Sequence, residues 1–278
     1  MPPSSGSTPI RANRTGRKKT VRKPASGKKK QVQRKLNLPW WAAAGGLALM
    51  ALAILIPHWI EGGDHQTGAS VPAGYRHFAM DISHHNKDIV WDSLRVMIDQ
   101  DGRTSKHLLH AHAVLPLSRV YIKATEGVSM KDDRFPEYWA EAGRVGIPRG
   151  AYHFFRTSTD PLEQAQNYIE TVTLTHRDLP PVLDMETLHN GCTREELNRN
   201  ALAWLRAVEA HYGRKPVVYT SDKFAQDNLM ADILDYYPLW IARYNQEPPV
   251  TGEWTLWQFS DKAVVYGVKG YVDLSVIP

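Results

Sequence analysis

Cysteine is almost absent: Cys192 is the only one in 278 residues. No intrachain disulfide can form, so cysteine usage assigns no redox compartment. A nucleophilic thiol needs a base and an orienting group, and Cys192 reads instead as a structural or incidental side chain. Acidic residues are missing from positions 1–37, which hold twelve Lys or Arg. The remainder keeps 22 of the 34 basic residues against all 29 acidic ones, a formal net of −7 (22 − 29). The whole-chain excess of +5 therefore belongs to the tail, and a reading as a nucleic-acid binder loses its main support. Charge is missing altogether from 38–60, and no internal repeat is visible.

These gaps divide the chain. Residues 1–37, rich in Lys, Arg, Ser, Pro and Gly, bury too little apolar surface to offset ordering entropy and are expected to be a disordered basic tail. The 21 residues from Trp40 to Ile60 match the length an α-helix needs to cross roughly 30 Å of hydrocarbon. Trp40, Trp41 and Trp59 sit at the two ends of the run, where indole rings favour the interface. Twelve cations precede it, while Glu61 and Asp64 follow. The positive-inside rule then puts the tail in the cytoplasm and the rest across the membrane. The expectation is a single-pass protein of an inner membrane, with a bilayer-spanning helix at 38–60, a short Gly-rich linker at 61–74 and a catalytic domain at 75–278 in the periplasm.

In that domain, short β-rich runs alternate with helical patterns, the signature of parallel βα units. The strands are predicted at 77–83, 119–125, 149–155, 181–186, 216–221, 239–244, 254–260 and 271–277, and the helices at 89–100, 136–145, 161–173, 194–212 and 222–230. The fourth helix opens with Thr193-x-x-Glu196, a capping box, and closes at Gly213, suited to a left-handed cap. The last three strands are too close in sequence for full crossover helices. The fold class is α/β, a barrel whose last segment is irregular.

Chemistry in such barrels sits at the C-terminal ends of the strands, so acids there carry weight. Pro180-Pro181-Val182-Leu183-Asp184-Met185-Glu186 is an apolar strand ending in Asp-x-Glu. Residues i and i+2 of a strand share a face, with Cα atoms about 6.6 Å apart, so both carboxylates should enter the barrel mouth. Two acids so close have their pKa values pushed apart, one staying protonated near neutral pH. Glycosidic cleavage needs that division: an acid for the leaving oxygen and a carboxylate for oxocarbenium-like charge. Asp81 lies late in the first strand and Asp273 in the last, its neighbour if the barrel closes. An acid in an apolar run is costly without partners.

The runs Ala79-Met80-Asp81-Ile82-Ser83, Val120-Tyr121-Ile122-Lys123-Ala124-Thr125-Glu126-Gly127 and Gly150-Ala151-Tyr152-His153-Phe154 resemble glycoside hydrolase family 25, the Chalaropsis-type muramidases. The resemblance continues through Pro181-Val182-Leu183-Asp184-Met185-Glu186, Val218-Tyr219-Thr220, Leu239-Trp240-Ile241-Ala242-Arg243-Tyr244, Trp257-Gln258-Phe259-Ser260 and Val272-Asp273-Leu274-Ser275. It covers residues 75–278. It implies an irregular TIM-like (β/α)5β3 barrel and cleavage of the β-1,4 bond between N-acetylmuramic acid and N-acetylglucosamine in peptidoglycan glycan strands. By the same resemblance Glu186 matches the general acid and Asp184 the second acid, either nucleophile or orienter of the substrate's acetamido oxygen. Asp81 and Asp273 match acids flanking the cleft.

Among the aromatics, Trp240 and Trp257 read as core. Tyr152, Tyr219 and Tyr244 lie near strand ends, placed to stack on or hydrogen-bond a sugar. Arg243 is placed to pair with Asp273 or to reach substrate, and Lys123 and Glu126 to pair beside the cleft. His84-His85-Asn86, where relatives have Gln or Trp nearby, departs from the family pattern at one edge of the cleft. Consecutive residues face opposite ways, so the two His read as a solvated loop, with no metal or other cofactor expected. The segment 99–118, with His107, His110 and His112, is longer than the family pattern. No cell-wall-binding repeat follows the barrel; membrane anchoring would replace it, and the protein is expected to act as a monomer. A competing reading is an inactive, tethered glycan-binding scaffold, which a missing acid would favour. A chitinase-like hydrolase would need Asp-x-x-Asp-x-Asp-x-Glu, which is absent.

Overall fold

The computed structural model describes residues 68–278. The predicted tail, the apolar run 38–60 and residues 61–67 of the predicted linker lie outside the described residues. Among the described residues no helix is long and apolar enough to cross a membrane.

In chain order, β1 (His77–Ile82) is followed by three strands that stay outside the barrel, β2 (Arg95–Asp99), β3 (Thr104–Ser105) and β4 (Ala111–Pro116). The barrel resumes with β5 (Arg119–Glu126), which turns back onto β6 (Met130–Lys131) before α1 (Phe135–Val145). Then come β7 (Arg149–Phe154), α2 (Pro161–Thr171), β8 (Val182–Asp184), α3 (Arg194–Tyr212) and β9 (Val217–Ser221). Next are α4 (Asp222–Asn228), α5 (Ala231–Leu234), β10 (Leu239–Ala242), β11 (Trp254–Ala263) and β12 (Val272–Ile277). Eight of the strands form one barrel-like sheet in the order β1-β5-β7-β8-β9-β10-β11-β12, with β12 back against β1. Pairings from β1 to β11 are parallel, and β12 runs antiparallel to both its neighbours. The architecture is mixed α/β.

Strand periodicity sorts the side chains into two layers. Phe78, Met80 and Ile82 of β1 and Val120, Ile122 and Ala124 of β5 join the outer core beneath the helices. The alternate residues Ala79 and Tyr121 join an inner cluster with Val182, Val217, Tyr219, Trp240 and Leu256. That cluster plugs the barrel below the mouth. Gly150 permits it, since a Cβ there would stand 2.6 Å from the Tyr121 ring.

The helices form where caps and apolar spacing agree. In α2, Asp160 accepts from the backbone N–H of Leu162 and Glu163 at 2.8 and 3.0 Å, with Pro161 in the first turn. In α3, the Thr193 hydroxyl accepts from Glu196 N at 3.1 Å and Gly213 closes the helix at φ 65°. The reciprocal half of the predicted box is replaced by an ion pair of Glu196 with Arg199 at 3.8 Å. Leu197, Leu205 and Val208 of α3 are fully buried, each contributing about 1.5–3 kcal/mol by the usual transfer scale.

The predicted helix at 89–100 does not form. A 3-10 turn, Trp91–Ser93, leads into an antiparallel arm ordered β3-β2-β4. The cause is local: Asp99 accepts from Asp101 N and Arg103 N at 3.0 and 2.9 Å, and Gly102 adopts φ 73°. This tight turn sends the chain back along Ile98. The arm accounts for the long segment 99–118 and takes the place of the first crossover helix. Thr104 N donates to Ala69 O at 2.8 Å and Ser70 bridges Arg103, so the described end of the predicted linker lies along the arm's edge.

Candidate active site

The inner face of the barrel turns from apolar to polar toward the strand ends. Asp184 ends β8, and Glu186 lies two residues further, exposed. Asp81, in β1, is the direct cross-strand partner of Asp273 in β12. All four acids line one cleft of ≈ 330 Å³, together with Ser83, His85, Lys123, Tyr152, Phe154, Val182, Tyr219, Trp240 and Tyr244. Acids from three strands and a loop thus converge on one mouth.

The two sides of the mouth are built differently. Asp184 is buried, and its Oδ1 has no hydrogen-bond partner among the described residues. Burial first, then the Glu186 charge and a hydrogen bond toward Glu186, hold the Asp184 carboxyl well above the usual carboxylate range. Asp81 is also pushed well up, by burial first and then by the Asp273 charge. Asp273 is itself raised to about 6, by burial first and then by the Asp261 charge. Carboxylates directly opposite across an antiparallel pair repel. Facing each other across that pair, both carboxyls are held above the usual carboxylate range.

Gln258 was not singled out from the sequence, yet it organises this side. Its Nε2 donates to Asp81 Oδ2 at 3.0 Å. Its Oε1 accepts from the Tyr219 and Tyr244 hydroxyls at 2.7 and 2.8 Å. The only signal was an amide inside the apolar run Trp257-Gln258-Phe259, and burying it is costly unless every polar atom is paired. Burial pushes the Tyr219 and Tyr152 phenols well up, with neighbouring acids adding to it.

Lys123 pairs with Glu126 at 2.6 Å, and Glu126 also takes Arg156. Trp240 is 2% exposed but borders the cleft, its indole N–H donating to Ser275 Oγ at 2.9 Å. Trp257 is core, donating to the Arg243 carbonyl at 2.8 Å. Arg243 does not meet Asp273. It pairs with Asp222 at 2.7 Å and borders an adjoining groove that shares Glu186, Tyr219 and Tyr244 with the cleft. Asp222 lies just past β9, on the side of β10 away from β12, and takes the guanidinium there.

His84 and His85 do not face opposite ways as expected: they lie on a 3-10 turn, His84–Asn86, with ring centroids 3.9 Å apart. His84 Nδ1 lies 2.7 Å from Asp132 Oδ2, while His85 borders the cleft. His84, Asp132 and Asp133 bring ligand atoms within 4.8 Å of one another. Asp132 is already engaged by His84 N and Arg134 N at 3.1 and 3.0 Å, so this triad is a loop brace. His153 faces the outer layer, bonded to Thr125 and Gln164 at 2.7 and 3.1 Å, and burial lowers its pKa to about 4.

The chain is similar to known proteins in sequence and in fold. The chain is 34% identical over 208 residues to YegX of Escherichia coli (strain K12), across 74% of this chain and 71% of that protein. It is 30% identical over 212 residues to Lysozyme M1 of Streptomyces globisporus, across 70% of this chain and 65% of that one. The bacterial lysozyme from Streptomyces coelicolor superposes with a TM-score of 0.61 at 27% identity, covering 73% of this chain and 93% of that one. The sequence model of glycosyl hydrolases family 25 matches residues 80–268. That match runs from β1 to the loop before β12 and takes in every cleft acid except Asp273, so the chain belongs to glycosyl hydrolases family 25 and is a glycoside hydrolase.

Proposed function

We propose that this enzyme is a membrane-tethered muramidase, cleaving the β-1,4 bond between N-acetylmuramic acid and N-acetylglucosamine in peptidoglycan. The observation that carries the reading is the convergence of Asp184 and Glu186 with Asp81 and Asp273 on one cleft. The lysozymes among its relatives support the substrate class.

In this reading a proton rests on Asp184 while the cleft holds water. It passes along the hydrogen bond to Glu186 as a sugar is bound, and Glu186 delivers it to the leaving oxygen. Asp184, now a carboxylate, faces the anomeric carbon and stabilises the positive charge that develops there until water adds to that carbon and returns a proton to the carboxylate pair. Asp81, Asp273, Tyr152, Tyr219 and Tyr244 hold the sugar, and Arg243 reaches its periphery. The barrel is read as (β/α)5β3 with the arm in place of the first helix. Residues 38–60 tether it to the inner membrane with 1–37 in the cytoplasm and the barrel in the periplasm. The support for the tether is the uncharged run and the charge asymmetry around it.

The full chain in detergent should release muropeptides from purified wall, and Glu186→Gln should not. Equal release by both would overturn the assignment. A periplasm-active reporter fused to the C-terminus should be active in cells; activity only from a cytoplasmic reporter would overturn the tether.

A further inference from the structure

Among the described residues, Lys87 is the one non-glycine residue with a positive φ, 54°. Such strain persists only where the surroundings over-determine it, and it gathers at functional sites. The surroundings here are a set of braces on the loop after β1. Ser83 caps the turn His84–Asn86, and its own N–H donates to Asn86 Oδ1 at 2.9 Å. Asp132 Oδ2 accepts from His84 N at 3.1 Å and lies 2.7 Å from His84 Nδ1. Asp132 is buried, and its N–H donates to Ala124 O of β5 at 2.9 Å. The Tyr138 hydroxyl donates to Lys87 O.

What these braces hold in the cleft wall is the His85 ring. It packs on His84, the ring planes tilted by 42°. Among the described residues that ring has no hydrogen bond, and His85 borders the cleft. The other aromatic residues of the cleft are Tyr152, Phe154, Tyr219, Trp240 and Tyr244. They come from β7, β9, β10 and the residues just beyond β10. His85 therefore supplies the aromatic surface on the β1 side. In the closed ring of eight strands β1 and β9 are four places apart in either direction. His85 thus stands across the mouth from Tyr219.

We infer that His85 is a sugar-binding residue of this cleft, an aromatic wall opposite Tyr219, and that His84, held by Asp132, is the positioning residue behind it. The ligand class is a pyranose of the glycan strand, its C–H face packed on the imidazole and its hydroxyls turned to the acids. The inference rests on the muramidase reading for its substrate. A wall fixed before the sugar arrives loses little freedom on binding, which is what the buried Asp132 and the strained Lys87 secure. A contact made equally with substrate and transition state lowers KM without raising kcat.

The test is steady-state kinetics of the full chain in detergent on soluble peptidoglycan glycan chains. His85→Ala should raise KM about fivefold, the loss of one aromatic contact, and leave kcat within about twofold of wild type. His85→Phe, which keeps a ring, should bring KM back to within about twofold of wild type. His84→Ala should raise KM about as much as His85→Ala, and the double variant no more than either alone, because His84 acts through His85. An unchanged KM in either alanine variant, no recovery in His85→Phe, or single effects that multiply in the double variant would overturn the inference. Failure of the wild type to cut this glycan would instead overturn the muramidase reading.

Discussion

The two sides of the barrel mouth hold the same number of acids but treat them in opposite ways. On the β1/β12 side, Asp81 is wired to Gln258, which in turn holds Tyr219 and Tyr244, and it stands directly opposite Asp273. On the β8 side, Asp184 is buried with an unpartnered oxygen beside an exposed Glu186. A fully satisfied network rigidifies a site. A buried polar atom left open is a cost the fold carries, and such costs gather where chemistry is done. In the proposed mechanism the wired side positions the sugar and the open side reacts.

Exchanging the reactive acids should have the largest effect. Glu186→Gln removes the proposed proton donor and should lower kcat by about 10²–10⁴-fold, read from muropeptide release. Asp184→Asn should cost a comparable factor in rate while stabilising the fold at neutral pH. The sign follows from the raised folded pKa. Below the unfolded value near 3.8 both states are protonated, and the carboxyl carries no penalty. As pH rises toward the folded pKa the buried charge becomes a growing cost, which Asn removes. Melting curves of the two proteins should coincide near pH 3 and separate by a few degrees at pH 7. Coincidence at both would contradict the burial account.

The wired side should give intermediate effects. Gln258→Leu frees two phenols and an acid, and should cost about tenfold in kcat/KM, roughly 1.4 kcal/mol, mainly through KM. Asp81→Asn removes a charge that raises the Asp184 carboxyl. The Asp184 pKa should then fall, and the alkaline limb of the rate profile should move to lower pH. An unmoved limb would separate the two sides electrostatically. The smallest effect is expected away from both: Cys192 is 8% exposed and burial pushes its thiol up, so Cys192→Ala should leave kcat unchanged.

What was legible in the sequence was what physical periodicity writes there. The eight barrel strands stand out as short β-rich runs between helical patterns, and Gly213 marked a helix end. The acids were legible because charge in an apolar strand is conspicuous. The arm was not: 89–100 carries apolar residues at spacings that fit a helix, and only the Asp99–Gly102 turn decides for strands. Gln258 carries no charge, so its hub role emerges only when β1, β9 and β11 meet. The Asp222–Arg243 pair spans 21 residues, and which acid an arginine finds depends on the β9–α4 turn placing Asp222 beside β10.

The most direct measurement is the identity of the new reducing ends after digestion of purified peptidoglycan, fixed by borohydride reduction and identified by mass spectrometry. Wild-type enzyme should yield reduced N-acetylmuramic acid ends, and Glu186→Gln essentially none. Reduced N-acetylglucosamine ends, or equal muramic ends from both proteins, would contradict the account.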